Sequence, residues 1–235
     1  MASIRDALEE TLQDNHAIIK LSIYTAPLFW CVYSYMNNNE NFATIFYLIA
    51  YLLLFGFLLK CTHNVKNGKE YVLPSINVFD TFWTGLKGTI ALLPIIILVS
   101  IIGAFVMSLF EQFIPDPNIL KVVNFIIGLV CASVAFTGYI LYTQRFKITD
   151  AYNFKLISDH CIDIIIGVYF MYLKMIIVNA IILIPLLYIL WLFLGLQTGV
   201  CIFVYCFIVV ANIAAMGHYL AQMDYETITV REENK

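Results

Sequence analysis

Charged residues interrupt this chain at intervals that fit a lipid bilayer. Uncharged, mostly apolar runs occupy residues 21–39, 41–59, 88–110, 122–144 and 175–223. A helix rising 1.5 Å per residue needs about 20 apolar residues to cross a hydrocarbon layer about 30 Å thick. The first four runs, at 19, 19, 23 and 23 residues, supply one crossing each. The fifth, at 49 residues, is too long for one and is divided by Gly195-Leu196-Gln197-Thr198-Gly199, a polar, glycine-flanked turn. The pattern predicts an all-α, polytopic integral membrane protein with six transmembrane helices, at 21–39, 42–60, 89–110, 122–144, 172–194 and 200–223. A transmembrane barrel would instead show segments of about ten residues with alternating hydrophobicity.

Three further segments have a helical period but are too polar to span. Residues 1–17 read as an N-terminal amphipathic cytoplasmic helix, capped by Ser3 with Asp6 three residues on, and with Ile4, Leu8 and Leu12 on one stripe. Between spans two and three, Val78, Phe79, Phe82, Trp83 and Leu86 recur at helical spacing, with Asn77, Asp80, Thr84 and Lys87 on the other face. Between spans four and five, Thr149 or Asp150 is placed to cap a helix with Ala151, Phe154, Ile157 and Cys161 on one side. Lys155, Asp159 and Asp163 step along its opposite face. Such helices lie in the headgroup plane with their apolar side towards the acyl chains. The organisation expected is a helix at 1–17, a membrane domain at 18–223 and a cytoplasmic tail at 224–235.

The order span, basic loop, interfacial helix, span occurs twice, at 42–110 and 122–194. Ile76-Asn77-Val78-Phe79 and Tyr152-Asn153-Phe154-Lys155 open the two interfacial segments in similar fashion. The two units run in the same direction through the membrane, the layout of a parallel internal repeat.

Composition agrees with this class. Hydrophobic residues make up 62% of the 235 residues and charged residues 12%, about half the share that a soluble surface carries. Mean hydropathy is +0.86. The formal net charge of −3 gives no reason to expect a nucleic-acid partner. The placement of Lys and Arg sets orientation. With six crossings, the N-terminus, the loops after spans two and four and the tail share one side. That side holds Arg5, Lys20, Lys60, Lys66, Lys69, Lys87, Arg145, Lys147, Lys155, Arg231 and Lys235, against Lys121 opposite. Eleven against one places both termini in the cytoplasm. The acidic start, with Asp6, Glu9, Glu10 and Asp14, is unlike the basic region of a signal peptide. Of six cysteines, four fall inside spans, and Cys61 and Cys161 fall on the reducing side, so all read as small buried apolar residues.

The stretch Leu73-Pro74-x-x-Asn77-x-Phe79-Asp80-x-Phe82-x-x-Gly85-Leu86-Lys87, followed by Leu93-Pro94 in the next span, resembles a block in a family of prokaryotic six-span membrane proteins of unknown function. Asp150-Ala151-Tyr152-Asn153-Phe154 is similar to that family's second block. The resemblance covers residues 45–220 and implies the fold and a prokaryotic plasma-membrane location. It implies no activity and no catalytic residues.

Polar groups inside spans are the candidate functional residues. Lys174 snorkels to the cytoplasmic boundary if span five begins near it, and is buried and paired if the span begins at Ile164. Asn124, Asn179 and Asn212 are candidates for hydrogen bonds between helices, and Pro27, Pro94 and Pro185 fall inside spans. Asp80 and Trp83 mark the aromatic interfacial segment. Ala211, Ala214, Ala215 and Gly217 give span six a small-residue face, and Gly128, Ala132 and Ala135 give one to span four, which suggests that these dock together or against a second subunit. His160 between Asp159 and Asp163, and His218 with Gln222, Asp224 and Glu226, are the groups through which an interfacial enzyme would work. No HExxH, GxSxG or phosphate-cradling glycine loop accompanies them, and no cofactor or metal is expected. The expectation is a non-catalytic membrane scaffold, or an accessory subunit whose partners are the bilayer, another membrane protein or a second copy. A component of a small transporter or oligomeric channel is the alternative, and an interfacial enzyme the third reading.

Overall fold

A computed structural model describes residues 4–194 and 199–224 of the chain. The described residues fold into eight helices. They are α1 (Ile4–Leu12), α2 (Ala17–Met36), α3 (Glu40–Lys66), α4 (Val78–Phe113), α5 (Pro117–Arg145), α6 (Ile148–Ala151), α7 (Phe154–Leu194) and α8 (Gly199–Asp224). Six of them, α2, α3, α4, α5, α7 and α8, are long and apolar enough to cross a membrane. Their outer faces match, with Phe105, Phe125 and Ile181 at 65%, 60% and 68% exposure amid many other exposed isoleucines and phenylalanines. Water does not tolerate so broad an apolar surface, whereas acyl chains solvate it. The protein is a multi-pass membrane protein. The Ser3 cap, the 195–198 turn and the 225–235 tail lie outside the described residues.

The two interfacial segments are not separate helices. Residues from 78 onward continue into α4 and residues from 154 onward into α7, giving helices of 36 and 41 residues. At 1.5 Å per residue these are about 54 and 62 Å long, well beyond the hydrocarbon thickness. Their first turns therefore project past it. The sequence contains no proline between residues 78 and 93 or between 154 and 184, so nothing breaks the backbone ladder where amphipathic turns give way to apolar ones. The starts of both helices are set by asparagine. Asn77 accepts the Asp80 amide at 3.0 Å and Asn153 accepts the Leu156 amide at 3.3 Å, each satisfying an N–H of the first turn. The cap expected from Thr149 or Asp150 is thus supplied by Asn153, while Asp150 receives both Nε and a terminal nitrogen of Arg145, at 3.0 and 2.9 Å.

Two compact units divide the chain. The first comprises the described residues within 4–88 and 170–222. Its core gathers Leu21, Tyr24, Leu53, Phe57, Cys61, Val210 and Ala214 from α2, α3 and α8, with Val72 and Leu73 of the linker before α4. Tyr24 lies against Phe57, ring centroids 4.6 Å apart, and its hydroxyl reaches the Ser75 carbonyl at 3.1 Å and Thr81 Oγ1 at 2.9 Å. The α2–α3 hairpin turns at Asn38, whose φ of 56° is the left-handed conformation that asparagine tolerates. Where α3 crosses α4, Gly56 and Gly85 face each other. A Cβ on Gly56 would overlap the Thr81 carbonyl, and one on Gly85 the Leu52 carbonyl. Only glycine on both sides allows backbones this close, a recurrent device of membrane helices.

The second unit comprises residues 89–169, with 223 and 224 at the end of α8. Ala91, Leu92 and Ile95 of α4, Ile140 and Leu141 of α5, and Ile157, Ile164 and Val168 of α7 are buried there. Asp116 caps α5 by accepting the Asn118 amide at 2.8 Å, with Pro117 in the first turn. Tyr152 donates to the Ala91 carbonyl at 3.0 Å, in the turn of α4 that Pro94 deprives of a backbone donor. Gly128 has open space where a Cβ would be. In the first unit, Gly217 of α8 packs on α3, against Cys61 and the Leu58 carbonyl.

Candidate functional site

The α7 and α8 helices of the first unit are joined by polar side chains along one seam. Asn212 donates to Asn179 Oδ1 at 2.6 Å, while the Asn179 amide nitrogen donates back to the Met175 carbonyl at 2.9 Å. One and a half turns along α7, Lys174 Nζ donates to the Tyr219 hydroxyl at 3.5 Å and sits 5.4 Å from the centre of that ring. Numbers falling on α7 as they rise on α8 mark an antiparallel pair. Residues 175–194 add about 30 Å of helix beyond Lys174, a full hydrocarbon thickness. Asn179 lies about 7.5 Å further along that length.

At the Lys174 end the seam meets α1. His218, 1% exposed, lies within 2.6 Å of Glu10 through Nε2. Its Nδ1 is enclosed with no hydrogen-bond partner among the described residues. Arg5 Nε pairs with Glu9 at 2.7 Å, and that hydrogen bond, with the carboxylate charge, raises the guanidinium above its ordinary pKa. Arg5, Glu9 and Lys174 line an open groove of about 520 Å³ together with Leu8, Ile177, Val178 and Ile182.

The face that α1 packs against the rest of the chain is narrow and partly polar. Ala7 and Thr11 are buried, whereas Leu12 is 60% exposed. Polar pairs help to hold this nine-residue helix. Thr11 returns its hydroxyl to the Ala7 carbonyl at 2.6 Å. Glu10 engages His218, and Asp14 receives Lys20 Nζ at 2.5 Å and the His16 amide at 2.9 Å.

The candidate residues thus fall into two groups. Lys174, Asn179, Asn212 and His218 share the seam, which also recruits Tyr219 and Glu10. Asp80 and Trp83 belong to the first turns of α4, where Asp80 pairs with Lys60, and the Lys87 ammonium lies 5.8 Å from the centre of the Trp83 ring. His160 lies in the other unit, on the buried α7 stripe with Ile157, Ile164 and Val168, its Nδ1 without a hydrogen bond among the described residues. Glu226 is outside the described residues, and the acid that meets His218 is Glu10, 208 positions away. Its sequence signal is faint: an acid beside Thr11 on a short helix. No group of three or more metal-ligating side chains occurs among the described residues.

No protein-family model, curated protein or solved structure matches this chain.

Proposed function

We propose that this chain is a non-catalytic membrane scaffold or accessory subunit in a prokaryotic plasma membrane, with both termini cytoplasmic. The observation that carries this reading is the pairing of Asn179 with Asn212. One side-chain amide from each of the apolar lengths of α7 and α8 is used to join those helices. Support for the orientation comes from the eleven-to-one distribution of Lys and Arg. The likeness of the residue 73–87 block to a prokaryotic six-span family supports the location. In this reading the first turns of α4 and α7 and the short α1 form the cytoplasmic surface, on which lipid headgroups or another membrane protein are bound.

The alternative, a small transporter component, draws on prolines inside three spanning helices, Pro27, Pro94 and Pro185. Purified protein in vesicles separates the two. A scaffold leaves proton and small-cation permeability at the level of protein-free vesicles, whereas a saturable, protein-dependent flux supports transport. Orientation is checked separately by placing a cysteine at Asn38, which an impermeant thiol reagent is expected to label from outside intact cells.

A further inference from the structure

The geometry points to a binding site for one anionic phospholipid in the groove between α1 and α7. Two cationic residues, Arg5 and Lys174, and one acidic residue, Glu9, are among those that line the groove, a sum of one net positive charge at one end of an almost wholly apolar surface. Glu9 pairs with Arg5 at 2.7 Å on the same exposed face of α1. From Lys174, the residues Ile177, Val178 and Ile182 follow at i+3, i+4 and i+8, a single stripe along α7. That stripe runs about 12 Å from the ammonium towards the hairpin end, and Leu8 of α1 lines the groove with it.

A charged mouth opening onto an apolar trough matches a phosphate head joined to an acyl chain. A soluble anion would use the mouth and leave the trough empty. A single net positive charge matches a headgroup of one negative charge better than a zwitterion, which gains nothing from it. The trough also lies at the right depth. Lys174 stands one hydrocarbon thickness from the far end of α7, where a cytoplasmic-leaflet phosphate would sit. Because α1 supplies half of the mouth, and the Glu10–His218 contact holds α1 against α8, occupancy would tie the N-terminal helix to the last helix pair.

The site rests on the proposed cytoplasmic placement of α1, and its test is chosen to be independent of it. Native mass spectrometry of the purified full chain in detergent reports binding whichever way the chain inserts, and labelling at Asn38 reports insertion alone. The probes are phosphatidylglycerol, phosphatidylethanolamine and inorganic phosphate. The expected result is retention of one phosphatidylglycerol under activation that strips phosphatidylethanolamine. Lys174→Gln and Arg5→Gln should each weaken retention about fivefold, the effect of one cation near a charged membrane surface. Lys174→Arg should retain the lipid, and Val178→Trp should abolish binding by filling the trough with no change of charge. Arg5 is on the exposed α1 surface, so its variant remains informative should Lys174→Gln fail to fold. Equal retention of the two lipids, or retention unchanged in Arg5→Gln and Val178→Trp, would mean unspecific boundary lipid and overturn the proposal. Displacement of the lipid by millimolar phosphate would overturn it in favour of a free-anion site.

Discussion

The side-chain amide of Asn212 donates to the side-chain oxygen of Asn179 at 2.6 Å, joining α8 to α7 inside their apolar lengths. Asn179 also returns its own amide nitrogen to the Met175 carbonyl, so it is engaged both as acceptor and as donor. Replacing either asparagine by leucine should destabilise the pair by about 0.6–2 kcal/mol. The double replacement should cost less than the sum of the single ones, since it removes both polar partners together. Unfolding in mixed micelles measures all three variants. Strict additivity would show that the two amides do not interact.

The Gly56–Gly85 crossing leads to a contrast between glycines. Gly85→Ala places a methyl group in the Leu52 carbonyl, which belongs to a rigid backbone, so α3 and α4 must separate. The expected loss is about 1–3 kcal/mol or more, the cost of an overpacked core. Gly128→Ala meets open space on α5 and should be neutral or slightly stabilising, because alanine favours helix by about 1 kcal/mol. Thermal stability in detergent checks both, and an equal loss at the two sites would mean that the close crossing is wrong.

Glu10→Ala should release α1 from α8 while the six long helices stay folded. It leaves the buried His218 without its carboxylate, a loss of about 1.5–3 kcal/mol for a hydrogen bond to a charged group. Glu10→Gln keeps an acceptor and should hold α1 in part. Hydrogen exchange over residues 5–12 reads the difference: fast in the alanine variant, intermediate in the glutamine variant, slow in the natural chain. Unchanged exchange in Glu10→Ala would show that other contacts hold α1.

Trp83 and Phe79 are exposed on the first turns of α4, at 47% and 78%, while Thr81 and Gly85 on another face make the contact with α3. An aromatic face left outside the packing belongs at the bilayer boundary. With Trp30 and Trp191 replaced by phenylalanine, Trp83 fluorescence should be quenched by lipids brominated near the headgroup. Quenching by aqueous iodide alone would place this face in water.

The six spans were legible because charge spacing reports directly on hydrocarbon thickness, and the paired asparagines before α4 and α7 were legible as similar openings. Their joining to the spans was less so, since an amphipathic stretch and an apolar stretch look like two elements until the absence of a helix breaker between them is given weight. The contacts of α1 were less legible, since Ala7, Thr11 and two acids make them and none of these stands out in the apolar pattern of Ile4, Leu8 and Leu12. Gly56 and Gly85 carry no pattern of their own. A glycine shows that close approach is allowed, and the partner that makes the approach is a fact of three dimensions. Lys174 and Asn212 were recognised as polar groups in spans, but their partners Tyr219 and Asn179 depend on the register of the antiparallel pair.

Solvent access at the Asn179–Asn212 pair tests most directly whether these amides serve the fold or line a route through it. In a background with the six native cysteines replaced by serine or alanine, a single cysteine is placed at 179 or at 212. A small, charged, membrane-impermeant thiol reagent is then applied to intact cells and to inverted vesicles. The paired arrangement predicts that neither cysteine reacts from either side, while a control cysteine at Asn38 reacts fully from outside. Rapid modification at 179 or 212 would contradict the scaffold reading, because it would require a water-filled path reaching the apolar length of α7 and α8.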